Sequence, residues 1–156
     1  MNANNSELIR WSGSFSCGIK LIDDQHKALV VLINDMFKHV SGNQEQEHAY
    51  FSNVIHEIIK YVKIHFATEE KILLATKFAG FSQHKREHDF FILTVMEKVD
   101  EYNARKHTNL SSFTKFLKDW VLSHIAIMDK QYFEYLRMTA TRKDNGVLSI
   151  TRADVA

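Results

Sequence analysis

The sequence predicts an all-α fold, an up-down-up-down antiparallel four-helix bundle with an N-terminal arm, on three observations. The 156-residue chain has no proline and five glycines, so long helices run without their commonest breaker. Apolar residues recur at steps of three and four in four separate segments, the period of a helix that buries one face. Short polar stretches join these segments, and short connections make consecutive helices antiparallel neighbours.

Residues 1–22 are read as the arm, because Trp11, Phe15, Ile19 and Ile22 are too apolar for a free tail. Helix A opens at Asp23 as its N-cap and carries Leu29, Leu32, Ile33, Met36, Phe37 and Val40 before Ser41-Gly42-Asn43 closes it. Helix B runs from about Glu45 to Thr76 through Phe51, Val54, Ile55, Ile58, Ile59, Val62, Ile72 and Leu73, with Gly80 marking its end. Helix C, capped by Ser82, carries Phe91, Ile92, Val95, Val99 and Tyr102. The polar stretch Asn103 to Asn109 leads to helix D, with Phe113, Phe116, Leu117, Trp120, Val121 and Ile125, ending near Met138. The bundle therefore spans 23–138, and 139–156 is a tail, weakly apolar only at Val147-Leu148-Ser149-Ile150 and expected to fray or pack loosely.

With 45% hydrophobic residues the chain fills one core and one domain. Its 20 basic and 19 acidic residues are interspersed and the net charge is +1, so no broad field exists to draw in nucleic acid or an anionic membrane. No run of about 18 apolar residues offers membrane insertion, and Met1 to Phe15 lacks a signal-peptide core. Cys17 stands alone, which excludes an intramolecular disulfide and points to a reducing, cytoplasmic setting. It reads as a small buried hydrophobe.

Chemistry enters with a series of histidines and carboxylates on the apolar faces. His26 lies on the stripe of helix A; His65 and Glu69 are four apart in helix B, His84 and His88 four apart in helix C, and His124 and Asp129 five apart in helix D. Residues four apart differ by about 40° around a helix and one turn along it, so both side chains address one centre. One such pair is weak evidence, since histidines four apart are more often surface or core residues than ligands. Four sets on four apolar faces are different, because burying five imidazoles and two carboxylates without a metal carries a large desolvation penalty. The seven groups are the inventory of a two-metal site inside a bundle. His39, His48, His56 and His107 lie off this series and read as solvated. The five-residue step of helix D separates His124 and Asp129 by about 140°, so a shared centre requires a local π-type widening or an Asp that reaches around.

The series His26, His65-x3-Glu69, His84-x3-His88, His124-x4-Asp129 resembles the hemerythrin family, in particular its single-domain bacterial members. Trp11, Gly18-Ile19, Ile22-Asp23-x-Gln25-His26-Lys27-x-Leu29 and Leu32-Ile33-Asn34 look like the family's amino-terminal signature, and His124-Ile125 with Asp129 like its last one. The resemblance runs from about Trp11 to Tyr135. It implies a non-haem di-iron centre that binds dioxygen reversibly, for storage, transport or supply, and not an enzyme. By the resemblance His84, His88 and His124 hold one iron, and His26 and His65 hold the other, which keeps an open position. Glu69 and Asp129 then bridge the two irons (Fe2+/Fe3+) with a hydroxo or oxo group, and Leu29, Phe66, Trp120, Val121 and Ile125 line the oxygen pocket.

The chemistry supports that role. Two ferrous ions against two carboxylates and a hydroxide leave roughly one positive charge to meet an incoming anion. Each iron gives one electron, so dioxygen is held as hydroperoxide and released by reversal. Five neutral imidazoles stabilise high-valent iron less than carboxylates do, which disfavours cleavage of the oxygen–oxygen bond, and apolar walls exclude water. Core packing is the competing role for each pocket residue, and the same centre in a di-iron oxidase or peroxidase, or in a sensor of oxygen, nitric oxide or iron, is the alternative function. Seven ligands exceed what one tetrahedral zinc needs. Tyr61, Tyr102 and Tyr132 read as packing residues, and the sequence alone assigns no acceptors for the distal N–H groups of the imidazoles.

Overall fold

The apolar stripes wind into four antiparallel rods in the computed structural model of the chain, which describes residues 7–106 and 109–143, with side chains to residue 138. Helix α1 spans Lys20–Lys38, α2 Gln44–Ala75, α3 Phe81–Asn103 and α4 Leu110–Ser123. A π-helical segment, His124–Asp129, joins α4 to α5, Lys130–Lys143, so that the three pieces form one continuous fourth rod. Among the described residues α1 packs on α2 and α4, and α2 on α3. No helix among them is long and apolar enough to cross a membrane.

Side-chain caps close two of the helix starts. Asn43 accepts from the N–H of Gln46 at 3.1 Å and Asn109 from that of Ser112 at 2.8 Å, each satisfying a donor the first turn leaves free. The first helix departs from expectation: it begins after Ile19, and Asp23 lies inside its first turn. The Asp23 carboxylate turns back to the arm instead, accepting the Cys17 N–H at 2.8 Å and the Ser16 hydroxyl at 2.6 Å. Burial pushes this carboxyl up, but those two donors outweigh it and hold it below the usual range.

Two further boundaries move. The N-cap of α3 is Gly80, and Ser82 lies within the helix. What ends α2 is Lys77, at φ 55° in the left-handed region, with the Phe78 N–H bonded to the Leu73 carbonyl at 3.0 Å. Gly80 has an ordinary φ; it is glycine for space, since a Cβ there would meet the Phe78 ring at 2.5 Å. The fourth rod also passes the expected stop at Met138 and continues to Lys143, while Val147-Leu148-Ser149-Ile150 lies outside the described residues.

The apolar side chains form two clusters of unequal size. The larger runs along the bundle and includes Leu29, Ile33, Phe51, Phe66, Phe91, Leu117, Val121 and Ile125. The smaller, at one end, holds Ile22, Ile72, Leu73, Tyr132, Phe133 and Leu136. The arm lies on the larger cluster through Ile9, Trp11 and Phe15. It is fixed by a two-way clasp in which Asn34 accepts the Ile9 N–H and donates to the Ile9 carbonyl, both at 2.8 Å. Each fully buried Leu, Ile, Val or Phe contributes about 1.5–3 kcal/mol, so these clusters carry the fold and what lies between them must be explained by other means.

Candidate metal centre

Between the two clusters lies a polar layer. Along each rod it occupies the positions that separate one apolar set from the other: His26 falls between Ile22 and Leu29, Glu69 between Phe66 and Ile72, and the pair His124 and Asp129 between Val121 and Tyr132. The layer contains all seven residues singled out in the sequence, and none is more than 4% exposed. The π segment solves the five-residue problem of the fourth rod. Widening the turn to i→i+5 returns residue 129 to the face of residue 124, and Asp129 is fully buried on it.

The donor atoms divide into two groups that share Glu69. One comprises Glu69, His84, His88 and His124; the other comprises His26, His65, Glu69 and Asp129. Glu69 splits its oxygens between them. Its Oε1 lies 3.3 Å from His26 Nε2 and 3.2 Å from His65 Nε2, and its Oε2 lies 3.4, 3.2 and 3.3 Å from the Nε2 atoms of His84, His88 and His124. Asp129 does the same, with Oδ2 3.0 Å from His26 Nε2 and Oδ1 3.1 and 3.5 Å from those of His124 and His84.

Ring orientation is set from outside. The Gln25 carbonyl oxygen accepts from His65 Nδ1–H at 2.8 Å, and the Gln25 amide is itself fixed by donating to the Thr68 hydroxyl at 3.2 Å. Glu70 accepts from His88 Nδ1–H at 3.0 Å and lies 3.8 Å from the Lys85 ammonium. With their protons on Nδ1, both rings turn an Nε2 lone pair to the centre. Phe66 stacks flat on His88 at 3.7 Å between centroids, and Trp120 on His124 at 4.5 Å. Leu29, Val121 and Ile125 are buried in the larger cluster beside them.

Donor chemistry fits a pair of transition-metal ions. Both oxygens of Asp129, together with His65 Nε2, are buried with no aligned hydrogen-bond partner among the described residues. His88 Nε2 and His124 Nε2 face each other at 3.3 Å, close to the roughly 3 Å between two donors set at right angles about one ion with bonds of about 2.1 Å. Convergence without alignment is what atoms aimed at a common third body produce. Without that body the carboxylates draw protons onto the rings. Burial pushes His26 and His124 down, but Asp129 and Glu69 overcome it and raise them to about 9 and about 10. For His65 burial prevails and lowers the pKa. Glu69 and Asp129 are pushed up by burial and pulled below their usual range by the imidazoles.

A profile of the hemerythrin HHE cation binding domain matches residues 17–136 of this chain. The chain belongs to the hemerythrin family. Its relatives include the bacteriohemerythrin of Pseudomonas aeruginosa, 31% identical over 127 residues that make up 81% of this chain and 80% of that protein. The bacteriohemerythrin of Methylococcus capsulatus is 27% identical, over 80% of this chain and 94% of its own length. A crystal structure of wild-type hemerythrin superposes with a TM-score of 0.70 at 27% identity, covering 81% of this chain and 96% of that one.

In this hemerythrin-family chain the remaining histidines separate as follows. His39 and His56 are exposed and His107 lies outside the described residues, whereas His48, expected in solvent, is half-buried and stacks on Tyr102 at 5.7 Å. It lies three residues before the buried Phe51, which puts it on the rim of the apolar stripe. Spacing alone does not mark Glu70 or Gln25 as partners of the imidazoles, although each adjoins one of the seven residues, Glu70 next to Glu69 and Gln25 next to His26. Tyr102 sits with Phe51, far along the larger cluster, and Tyr61 donates to the main-chain carbonyl of Gln25 at 3.3 Å. Tyr132 is the tyrosine at the centre, edge-on to His84 at 5.3 Å.

Proposed function

We propose that this chain binds dioxygen reversibly at a di-iron centre, for storage, transport or supply. His84, His88 and His124 would hold one iron and His26 and His65 the other, with Glu69 and Asp129 bridging. The observation that carries this reading is the way each carboxylate divides its two oxygens between a three-nitrogen and a two-nitrogen group. Bound iron supplies the two electrons and the Lewis acidity that a dioxygen ligand requires.

The residues of the chain do the rest. Gln25 and Glu70 fix the tautomers of His65 and His88, so those imidazoles arrive as preoriented neutral donors. The two-nitrogen side has one imidazole fewer, which leaves it the side with room for a small ligand. Leu29, Phe66, Trp120, Val121 and Ile125 belong to the apolar cluster beside the centre, with Phe66 stacked on His88 and Trp120 on His124, and would supply the apolar surface that excludes water and anions. The lone Cys17 supports a reducing, cytoplasmic setting.

The test is to load the protein with iron, reduce it without air, admit oxygen and then remove it while following visible absorption. Bands that appear with oxygen and vanish on its removal, over repeated cycles, are expected. Prompt irreversible oxidation would overturn reversible binding in favour of an oxidase or a sensor.

A further inference from the structure

A single residue of α1 is gripped by one face of α2. Tyr61, His65 and Thr68 stand at i, i+4 and i+7 on that face, and all three bond to Gln25. The Tyr61 hydroxyl donates to its main-chain carbonyl at 3.3 Å, His65 Nδ1–H donates to its side-chain oxygen at 2.8 Å, and its amide nitrogen donates to the Thr68 hydroxyl at 3.2 Å. Packing accounts for the contact but not for its direction, since a side-chain amide fills the same space turned over. We propose that Thr68 is a positioning residue that decides which nitrogen of His65 carries the proton. This rests on the two-metal reading for its purpose, a bare Nε2 turned to a metal, and not for its test.

The direction originates in the backbone. A carbonyl oxygen can only accept, so the Ile64 carbonyl takes the single proton of the Thr68 hydroxyl, at 2.9 Å. The hydroxyl then has only lone pairs to offer Gln25, which turns its amide nitrogen toward Thr68 and its oxygen toward His65. A neutral imidazole facing that oxygen keeps its proton on Nδ1. The opposing pull comes from Glu69, whose Oε1 lies 3.2 Å from His65 Nε2 and draws the proton toward that side. His65 Nε2 is buried and makes no aligned hydrogen bond among the described residues, so the relay from Ile64 prevails. Turned over, Gln25 would present N–H groups to Nδ1, the proton would pass to Nε2, and the nitrogen that faces the centre would be blocked.

The test reads the His65 ring in the metal-free protein at mildly alkaline pH, where the chemical shifts of the two ring nitrogens distinguish the tautomers. The wild-type protein and Thr68→Ser, which keeps the hydroxyl, should hold the proton on Nδ1. Thr68→Val, which keeps the shape and loses the hydroxyl, should move the tautomer ratio toward Nε2–H by about tenfold, the factor that one net hydrogen bond amounts to. It should also weaken the retention of ferrous iron against a chelator by about tenfold. Thr68→Ala removes the same hydroxyl with a stronger helix former and gives the reading should Thr68→Val not fold. A ratio unchanged without the hydroxyl would make Thr68 a plain contact between α1 and α2 and overturn the proposal, as would a wild-type ring protonated on Nε2. A tautomer shift in a chain that takes up no iron would sink the two-metal reading and leave the role of Thr68 standing.

Discussion

Glu70 and Gln25 perform the same mechanical task with different charge. Glu70 presents a carboxylate to His88, and Gln25 a neutral amide to His65. An anionic acceptor makes an imidazole a stronger donor to its metal, so with iron bound the three-histidine group would be the better electron source of the two. Replacing Glu70 with Gln should weaken iron retention by about tenfold, measured by competition with a chelator, and raise the reduction potential; no change would show that the contact only fills space. A second expectation concerns protons. His26 and His124, raised to about 9 and about 10 without metal, are charged at neutral pH. Their contribution to the metal-free fold is complete below the unfolded value of about 6.5 and fades as pH rises through those folded values. Because a ligand nitrogen must be neutral, loading at pH 7.5 should release at least about two protons, and iron affinity should climb with pH. Proton counting in a weakly buffered titration checks this, and no release would refute the charge states. That the seven residues come together was readable because type and spacing alone mark them. Their orienting partners were not, because a Gln or Glu next to a donor looks like any polar residue until the packing of α1 on α2 and α2 on α3 decides where it points.

Helix D was legible in its irregularity, since His124 and Asp129 can share a face only on a widened turn. One residue extra in that turn sets the register of all that follows. Inserting a further alanine after Ala126 should rotate Asp129, Tyr132, Phe133 and Leu136 by about 100°, carrying a carboxylate and three buried side chains out of the interior. Loss of iron binding with a cooperative but much weakened unfolding transition is expected by circular dichroism; retained binding would mean that the widening is incidental. Helix ends were less legible. Asp23 carries the usual signature of an N-cap, but its carboxylate is taken by the Cys17 N–H and the Ser16 hydroxyl, a competition between cap and turn that sequence cannot resolve. At the end of α2 a lysine stands where glycine is favoured, Lys77 at φ 55°. Lys77→Gly should therefore stabilise the fold by about 0.5–1 kcal/mol in denaturant titration, and a loss would mean that the lysine side chain contributes there.

On the scale of the whole molecule the centre separates a long apolar region from a short one. The Ile9–Asn34 clasp, spanning 25 residues, ties the arm to the long region, and no local pattern announces it. The short region consists of the first turn of α1, the end of α2, the start of α3 and α5, joined through Ile22, Ile72, Leu73, Phe133 and Leu136. With so few apolar contacts it is the part expected to open first, while the long region stays folded. Leu136→Ala, which removes about 2–5 kcal/mol of packing from that end, should speed the transfer of iron to a chelator by more than it speeds global unfolding. Stopped-flow chelation beside unfolding kinetics decides it, and equal acceleration would refute the idea. The unequal division would thus give a bound cargo a private exit: ions would escape by fraying at one tip, and how long the protein kept them would be governed by a handful of residues at that tip rather than by the durability of the bundle.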